Sequence, residues 1–303
     1  MLIVDRSVPG IPQSTRMRRL LSGLRGVPED IVTAPAEAPG RRAAISAAVH
    51  RGDSLYIVDN LRLGLRVTTR HPGAAVVIDV GDEAASLAAT TGASGAQVAA
   101  LFMAQRLLEC RSRGLVVRGL GHLGALAARP GSTPCCLVPD VCSETAGWTP
   151  RGRSRPGLTL GFVGTSQTSR KAPPAGWELP ELLLALPQPR GVAVIGGSGV
   201  GHIRERADRL GVLDRLRVVA PVPPEELGSA LSEVDVCLST QTTNLAGQVR
   251  TTGKLVEYLA AMGDAELAAL QTHSRALATA LFSPSALAPL WLEKMREWGV
   301  VSA

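Results

Sequence analysis

The sequence predicts an α/β fold built from two halves, each a parallel sheet with helices packed on it. Three observations predict it. Short apolar β-type runs alternate with helical segments along the chain. The composition changes between Ser143 and Pro156, where Trp148-Thr149-Pro150 and a Gly/Arg/Pro-rich stretch break the alternation. A second series of strands begins after that break. At 303 residues the chain suits two medium domains, divided as 1–147, a linker at 148–156, and 157–303.

In the first half, Leu2–Asp5 reads as a strand, followed by a Pro/Gly loop and a helix over Ser14–Leu24 capped by Ser or Thr. Leu55–Asp59 and Ala75–Asp79 are further strands, and both end in an acid at the carboxyl end, where open α/β sheets place ligands. A long helix spans Gln97–Arg111, and Leu115-Val116-Val117 and Cys135–Val138 close this half. In the second half, strands fall at Leu158–Val163, Val192–Ile195, Leu216–Val219 and Val236–Leu238. Pro223-Pro224-Glu225-Glu226 is a helix start, with proline in the first turn and acids at the positive end of the dipole. Helices over Ala265–Leu281 and Ser285–Trp298 end the chain.

Composition narrows the partners. Hydrophobic residues reach 45%, enough for sizeable cores, but aromatics are only 3%, so the Arg–aromatic interleaving of single-strand nucleic-acid binders is not available. The net charge of +6 is spread along the chain with short clusters such as Arg151–Arg155, and nucleic acid is not expected as a partner. A basic balance also suits a diphosphate ligand. Lysine occurs only at Lys171, Lys254 and Lys294. The five cysteines form no CxxC pair and the histidines lack metal-ligand spacing, so no metal is expected and a reducing compartment is. No apolar run reaches about 18 residues and no leader precedes the first strand, so the expected location is cytoplasmic.

Gly247–Leu259 carries the strongest local signal. A polar loop after a strand leads into a helix starting near Gly253. Arg250 and the amides around Thr251 and Thr252 then lie at a helix N-terminus, an anion site. Lys254, in the first turn, adds a compact charge. Glu257 shares its face, and a carboxylate there accepts two hydrogen bonds from a ribose diol. On its own, this pattern fits a nucleotide-sugar clamp and, equally, a surface helix with an i,i+3 ion pair.

From Val192 onward the order of segments resembles the donor domain of family 4 glycosyltransferases, which have the GT-B fold. The matching text is Val194–Gly199, Arg209–Val218, Val222–Leu227, Val234–Ser239 and Gly253–Ala260. Gly161-Phe162-Val163-Gly164 resembles the family's glycine turn facing the diphosphate, and the basic residue that follows falls on Arg170 or Lys171. The first half is a looser match to the acceptor domain. The resemblance implies two Rossmann-like domains facing a cleft, a retaining, metal-independent transfer from a nucleotide diphosphate-sugar, and no cofactor. Gly164, Arg170, Lys171, Arg250, Thr251 and Lys254 would hold the diphosphate and Glu257 the ribose. It also implies that the last helix crosses back to the first domain, with Trp291 and Trp298 as packing residues.

The chain departs from the family in several places. Val249 stands where the family often has an acid, and Thr165 where an arginine commonly follows the glycine turn. The strand expected after Ala260 is missing, which implies an internal deletion and a second sheet of about four strands. A degenerate, non-catalytic GT-B homologue and a nucleotide-sugar epimerase therefore remain open alternatives. Asp82 and His122 are the catalytic candidates, Asp79 and Asp82 either orienting an acceptor hydroxyl or capping the next helix. Gly196–Gly201 mimics a dinucleotide fingerprint, but from Gly197 its third glycine falls on His202, so NAD binding is not expected.

Overall fold

The computed structural model describes residues 1–5, 14–36, 39–90, 92–129, 131, 133–141, 159–165, 178–186, 190–196, 200–219, 222, 226–231, 234–239 and 280–301. The first half comprises β1 (Leu2–Asp5), α1 (Thr15–Ser22), β2 (Val32–Pro35), α2 (Arg41–His50), β3 (Leu55–Val58), α3 (Leu61–Arg70), β4 (Val76–Val80), α4 (Ala84–Thr90), α5 (Gly95–Arg111), β5 (Gly114–Val117), α6 (Leu120–Ala127) and β6 (Cys135–Leu137). The second comprises β7 (Thr159–Thr165), α7 (Glu178–Ala185), β8 (Arg190–Gly196), α8 (Val200–Arg209), β9 (Leu216–Val219), α9 (Leu227–Leu231) and β10 (Val236–Cys237). A last helix, α10, spans Pro284–Glu297.

All pairings among the described residues are parallel. The first sheet has the order β2-β1-β3-β4-β5-β6 and the second, among the described residues, β10-β7-β8-β9. Every expected strand is present within two residues of its predicted ends. β2 was not predicted: it is an edge strand with no fully buried residue, so no apolar run announces it. The strand predicted over Leu55–Asp59 stops at Val58, because Asp59 turns to φ 44°. Ser14 caps α1, and Ser94 with Gln97 forms a capping box that starts α5 two residues before its predicted Gln97.

Strand alternation sorts the first sheet onto two cores. Ile3, Tyr56, Val58, Val77 and Val116 face one side, and Leu2, Val4, Leu55, Ile57, Ile78 and Leu115 the other. The second side is covered by α2, α3, α5 and α6, through Ile45, Leu63, Leu108 and Leu126. On the first side only α1, among the described helices of this half, contributes to the core, with Met17, Leu20 and Leu21. The rest of that side is covered by α10, whose Leu287, Trp291, Met295 and the following Trp298 join the same core. Two glycines make room for it. A Cβ on Gly114 would fall 2.4 Å from the Trp298 ring, and one on Gly23 would overlap the Pro284 carbonyl.

In the second sheet, Leu160, Phe162 and Ala193 pack with Leu179, Leu183, Ile203 and Ala207 of α7 and α8. Val192 and Leu231 form the opposite core. Arg206 of α8 and Glu181 of α7 form an ion pair across these helices. No helix among the described residues is long and apolar enough to cross a membrane.

Candidate functional site

Parallel sheets bind ligands outside the carboxyl ends of their strands, where the strand order reverses. In the first sheet that point lies between β1 and β3, and in the second between β7 and β10.

Asp79, near the end of β4, is the hub. It is fully buried, and both its oxygens are used. Arg16 Nε and the Tyr56 hydroxyl each donate to Oδ2 at 3.0 Å, and Arg118 Nε donates to Oδ1 at 3.3 Å. Arg16, from α1, also donates to the carbonyls of Pro139 (2.5 Å) and Val138 (2.7 Å) and to Asp140 Oδ1 (3.3 Å). Arg19 donates to the Val141 carbonyl at 2.8 Å. A single turn of α1 thus ties the end of β4 to the segment leaving β6. Tyr56 meets the Trp291 ring edge-on, with centroids 5.4 Å apart, which links α10 to the hub.

Electrostatics follow from this packing. Burial pushes the Asp79 carboxyl up, but Arg16 and Arg118 outweigh it and hold the group below the usual carboxylate range. Burial and the nearby Asp79 charge raise the Tyr56 phenol well above its usual value, so it stays a donor. Burial would lower Arg118, but Asp79, Asp140 and Asp59 more than offset it. Asp79 therefore neither caps a helix nor faces an acceptor hydroxyl; the side chain that caps α4 is Glu83, whose Oε2 accepts from the Ser86 amide at 2.7 Å.

What reaches the surface above this hub is Asp59 and Arg118. Asp59 is exposed, in the left-handed region that asparagine and aspartate tolerate better than most residues. A Cβ on Gly81 would lie 3.0 Å from the Arg118 guanidinium and 3.1 Å from the Asp59 carboxyl carbon. A side chain at this position would push Arg118 or Asp59 aside by a few tenths of an ångström. The Arg118 Nη atoms make no hydrogen bond among the described residues. An arginine with donors to spare beside an exposed carboxylate suits a hydroxyl-rich ligand. Asp59 was visible in the sequence as a strand-end acid, whereas Arg16, Tyr56 and Asp140 carried no local signal.

The predicted site residues separate into three groups. Asp82 is partly exposed in the loop after β4. His122, in α6, is 3% exposed, and its Nε2 has no hydrogen-bond partner among the described residues. Gly164 is in β7, paired with Ile195 of β8, at the reversal point of the second sheet. Arg170, Lys171, Arg250, Thr251, Lys254 and Glu257 lie outside the described residues, as do 260–279. The chain leaves β10 at Leu238-Ser239, beside β7, before that stretch.

Burial lowers the His122 pKa, although Glu109 and Glu83 pull it up. The native ring is thus neutral where the unfolded one, at about 6.5, takes a proton. The unfolded state binds more protons in that window, so stability falls as pH drops below about 6.5. Urea midpoints between about pH 5 and 7.5 should show this slope, and His122→Asn should flatten it. An unchanged slope in the variant would assign the effect elsewhere.

No protein-family model matches the chain, and no curated protein matches it significantly in sequence. Solved structures do match it in fold. A sucrose-phosphate synthase from Thermosynechococcus elongatus is similar over 100% of both chains, with a TM-score of 0.72 and 13% identity. HepE from Anabaena, in complex with UDP and glucose, is similar over 97% of this chain and 98% of that one, with a TM-score of 0.60 and 12% identity. A glycosyltransferase from Rickettsia africae matches over 99% and 98%, with a TM-score of 0.59 and 10% identity. At such identities the likeness is one of fold, and that fold is the GT-B-like pair of Rossmann-like domains.

Proposed function

We propose that this protein transfers a sugar from a nucleotide diphosphate-sugar to an acceptor, with retention at the anomeric carbon and without a metal. The observation that carries the reading is that the GT-B-like arrangement runs through the whole chain, both sheets included. The diphosphate is held by Gly164, Lys171 or Arg170, Arg250, Thr251 and Lys254, with Glu257 on the ribose. These cations and the amides at the helix start stabilise the charge that develops on the leaving diphosphate. Asp59 and Arg118 hold hydroxyls of the acceptor. Asp82 and His122 remain the candidates for direct action on the reaction.

UDP-glucose is the first donor to test, because the similar HepE was solved with UDP and with UDP-glucose. Saturation at about 100 times Kd should stabilise the fold by about 2.7 kcal/mol, a rise of several degrees in Tm. Lys254→Ala and Glu257→Ala should each weaken the donor by about tenfold or more, the value of one charged hydrogen bond. Stabilisation unchanged in both variants would refute the clamp. Donor binding without transfer would identify a non-catalytic homologue, and epimerised donor without acceptor would identify an epimerase.

A further inference from the structure

We infer that the Arg118 guanidinium takes two adjacent hydroxyls of an uncharged sugar or polyol, that Asp59 accepts from one of them, and that Tyr56 is a positioning residue that keeps the guanidinium fork open. The inference rests on the transferase reading above, in which this end of the first sheet takes the acceptor. It adds the class of that acceptor, a vicinal diol with no phosphate or carboxylate beside it.

The fork is left open by the way Asp79 is shared. Arginine and carboxylate frequently meet side-on, two nitrogens to two oxygens. Here the Asp79 Oδ2 already accepts from Arg16 Nε and from the Tyr56 hydroxyl, both at 3.0 Å. Both of its lone-pair directions are used. Only Oδ1 is left for Arg118, and it takes Nε, at 3.3 Å. Asp140 Oδ1 is also nearest that Nε, at 3.8 Å, and accepts from Arg16 Nη1 at 3.3 Å. Arg118 is thus anchored through Nε, while neither Nη forms a hydrogen bond among the described residues. Its side chain is 19% exposed, so the fork is within reach of a ligand. N–H groups held in one plane match two neighbouring oxygens of a single molecule.

Asp59 decides which oxygens. Asp59 and Arg118 both come close to Gly81, yet they form no ion pair with each other. The Asp59 carboxylate makes no hydrogen bond among the described residues. A hydroxyl satisfies both groups at once, because its oxygen accepts from the guanidinium and its hydrogen goes to the carboxylate. A carboxylate or a phosphate dianion has no proton to give Asp59. It would also join three carboxylates, Asp59, Asp79 and Asp140, that already oppose the two guanidinium groups of Arg16 and Arg118. A neutral diol meets the fork without that repulsion.

The test is saturation-transfer NMR on the full chain with glucose, galactose, mannose and fructose, each beside its 6-phosphate, and without a donor. At least one neutral sugar should be contacted, and its 6-phosphate about tenfold more weakly, since the added charge falls within a screening length of the carboxylates. Arg118→Gln should weaken the sugar about tenfold. Arg118→Lys keeps the charge without the fork and should not restore it. Asp59→Asn should narrow the difference between sugar and phosphate. Tyr56→Phe frees Asp79 to meet Arg118 side-on and should weaken the sugar several-fold. The double variant Tyr56→Phe/Arg118→Gln should lose no more than Arg118→Gln alone, a pattern that general loosening of the fold would not give. Thermal melts check that each variant is folded. No contact with any neutral sugar, equal or stronger contact with a 6-phosphate, contact kept in Arg118→Lys, an unchanged preference in Asp59→Asn, or additive losses in the double variant would overturn the proposal. Failure of UDP-glucose to stabilise the protein would count against the donor clamp alone, because these sugar measurements use no donor.

Discussion

Trp291→Ala is expected to cost about 3–5 kcal/mol and to loosen the first sheet, not the second. Trp291 is fully buried, and it comes from a helix that follows the second sheet in the chain. Its core neighbours, however, are Ile3, Tyr56, Val77 and Met17, all from the first half. Removing the indole opens a cavity between α1 and the sheet, and it also takes away the edge-on partner of Tyr56. Amide hydrogen exchange is the measurement. Protection should fall in β1, β3 and β4 and hold in β7 and β8. Removal of residues from 283 onward should have the larger effect, leaving one side of the first sheet covered by α1 alone. Equal loss in both sheets, or loss confined to the second, would contradict this role of α10.

Asp79→Ala is the second large effect, at about 3–5 kcal/mol, because it leaves Arg16 and Arg118 facing each other without their shared carboxylate. The Tyr56 hydroxyl loses its acceptor as well. Asp79→Asn keeps the shape and removes the charge, so it separates the electrostatic part. The sign with pH follows from the depressed carboxyl. The unfolded state binds its proton first as pH falls, so the contribution of Asp79 is complete above about pH 3.9 and is lost as pH drops through the lower native value. The acid limb of the wild-type unfolding curve should contain this component, and Asp79→Asn should lack it. An Asp79→Ala variant as stable as wild type would show that the network is dispensable.

The residues explain why some of this could be read in advance and some could not. Strands buried on both faces, such as β3 and β5, consist of apolar runs that need no partner to be recognised. β2, half-exposed and ending at Pro35, has no such run, and α3 has Gly64 in its middle and a β-branched stretch at its end, both poor helix signals. At the site, Asp59 and Asp79 stood out because acids at strand ends have a topological meaning. The partners of Asp79 did not, since Arg16 is 63 residues away and reaches Asp140 across 124. Local spacing carries no trace of contacts at that range.

The position of α10 also has a consequence in time. Domains generally fold as units during synthesis, the N-terminal one first. Here the first sheet is made early, but the Trp291 and Trp298 side chains that complete its core are made only after every described strand of the second sheet. Until then Ile3, Tyr56 and Val77 lack their cover, and Gly114 faces an empty place where the Trp298 ring will sit. The first sheet is therefore expected to complete its core only once the second has been made. In a cell the yield of this chain should depend on holding chaperones more than that of a protein whose domains each complete their own core.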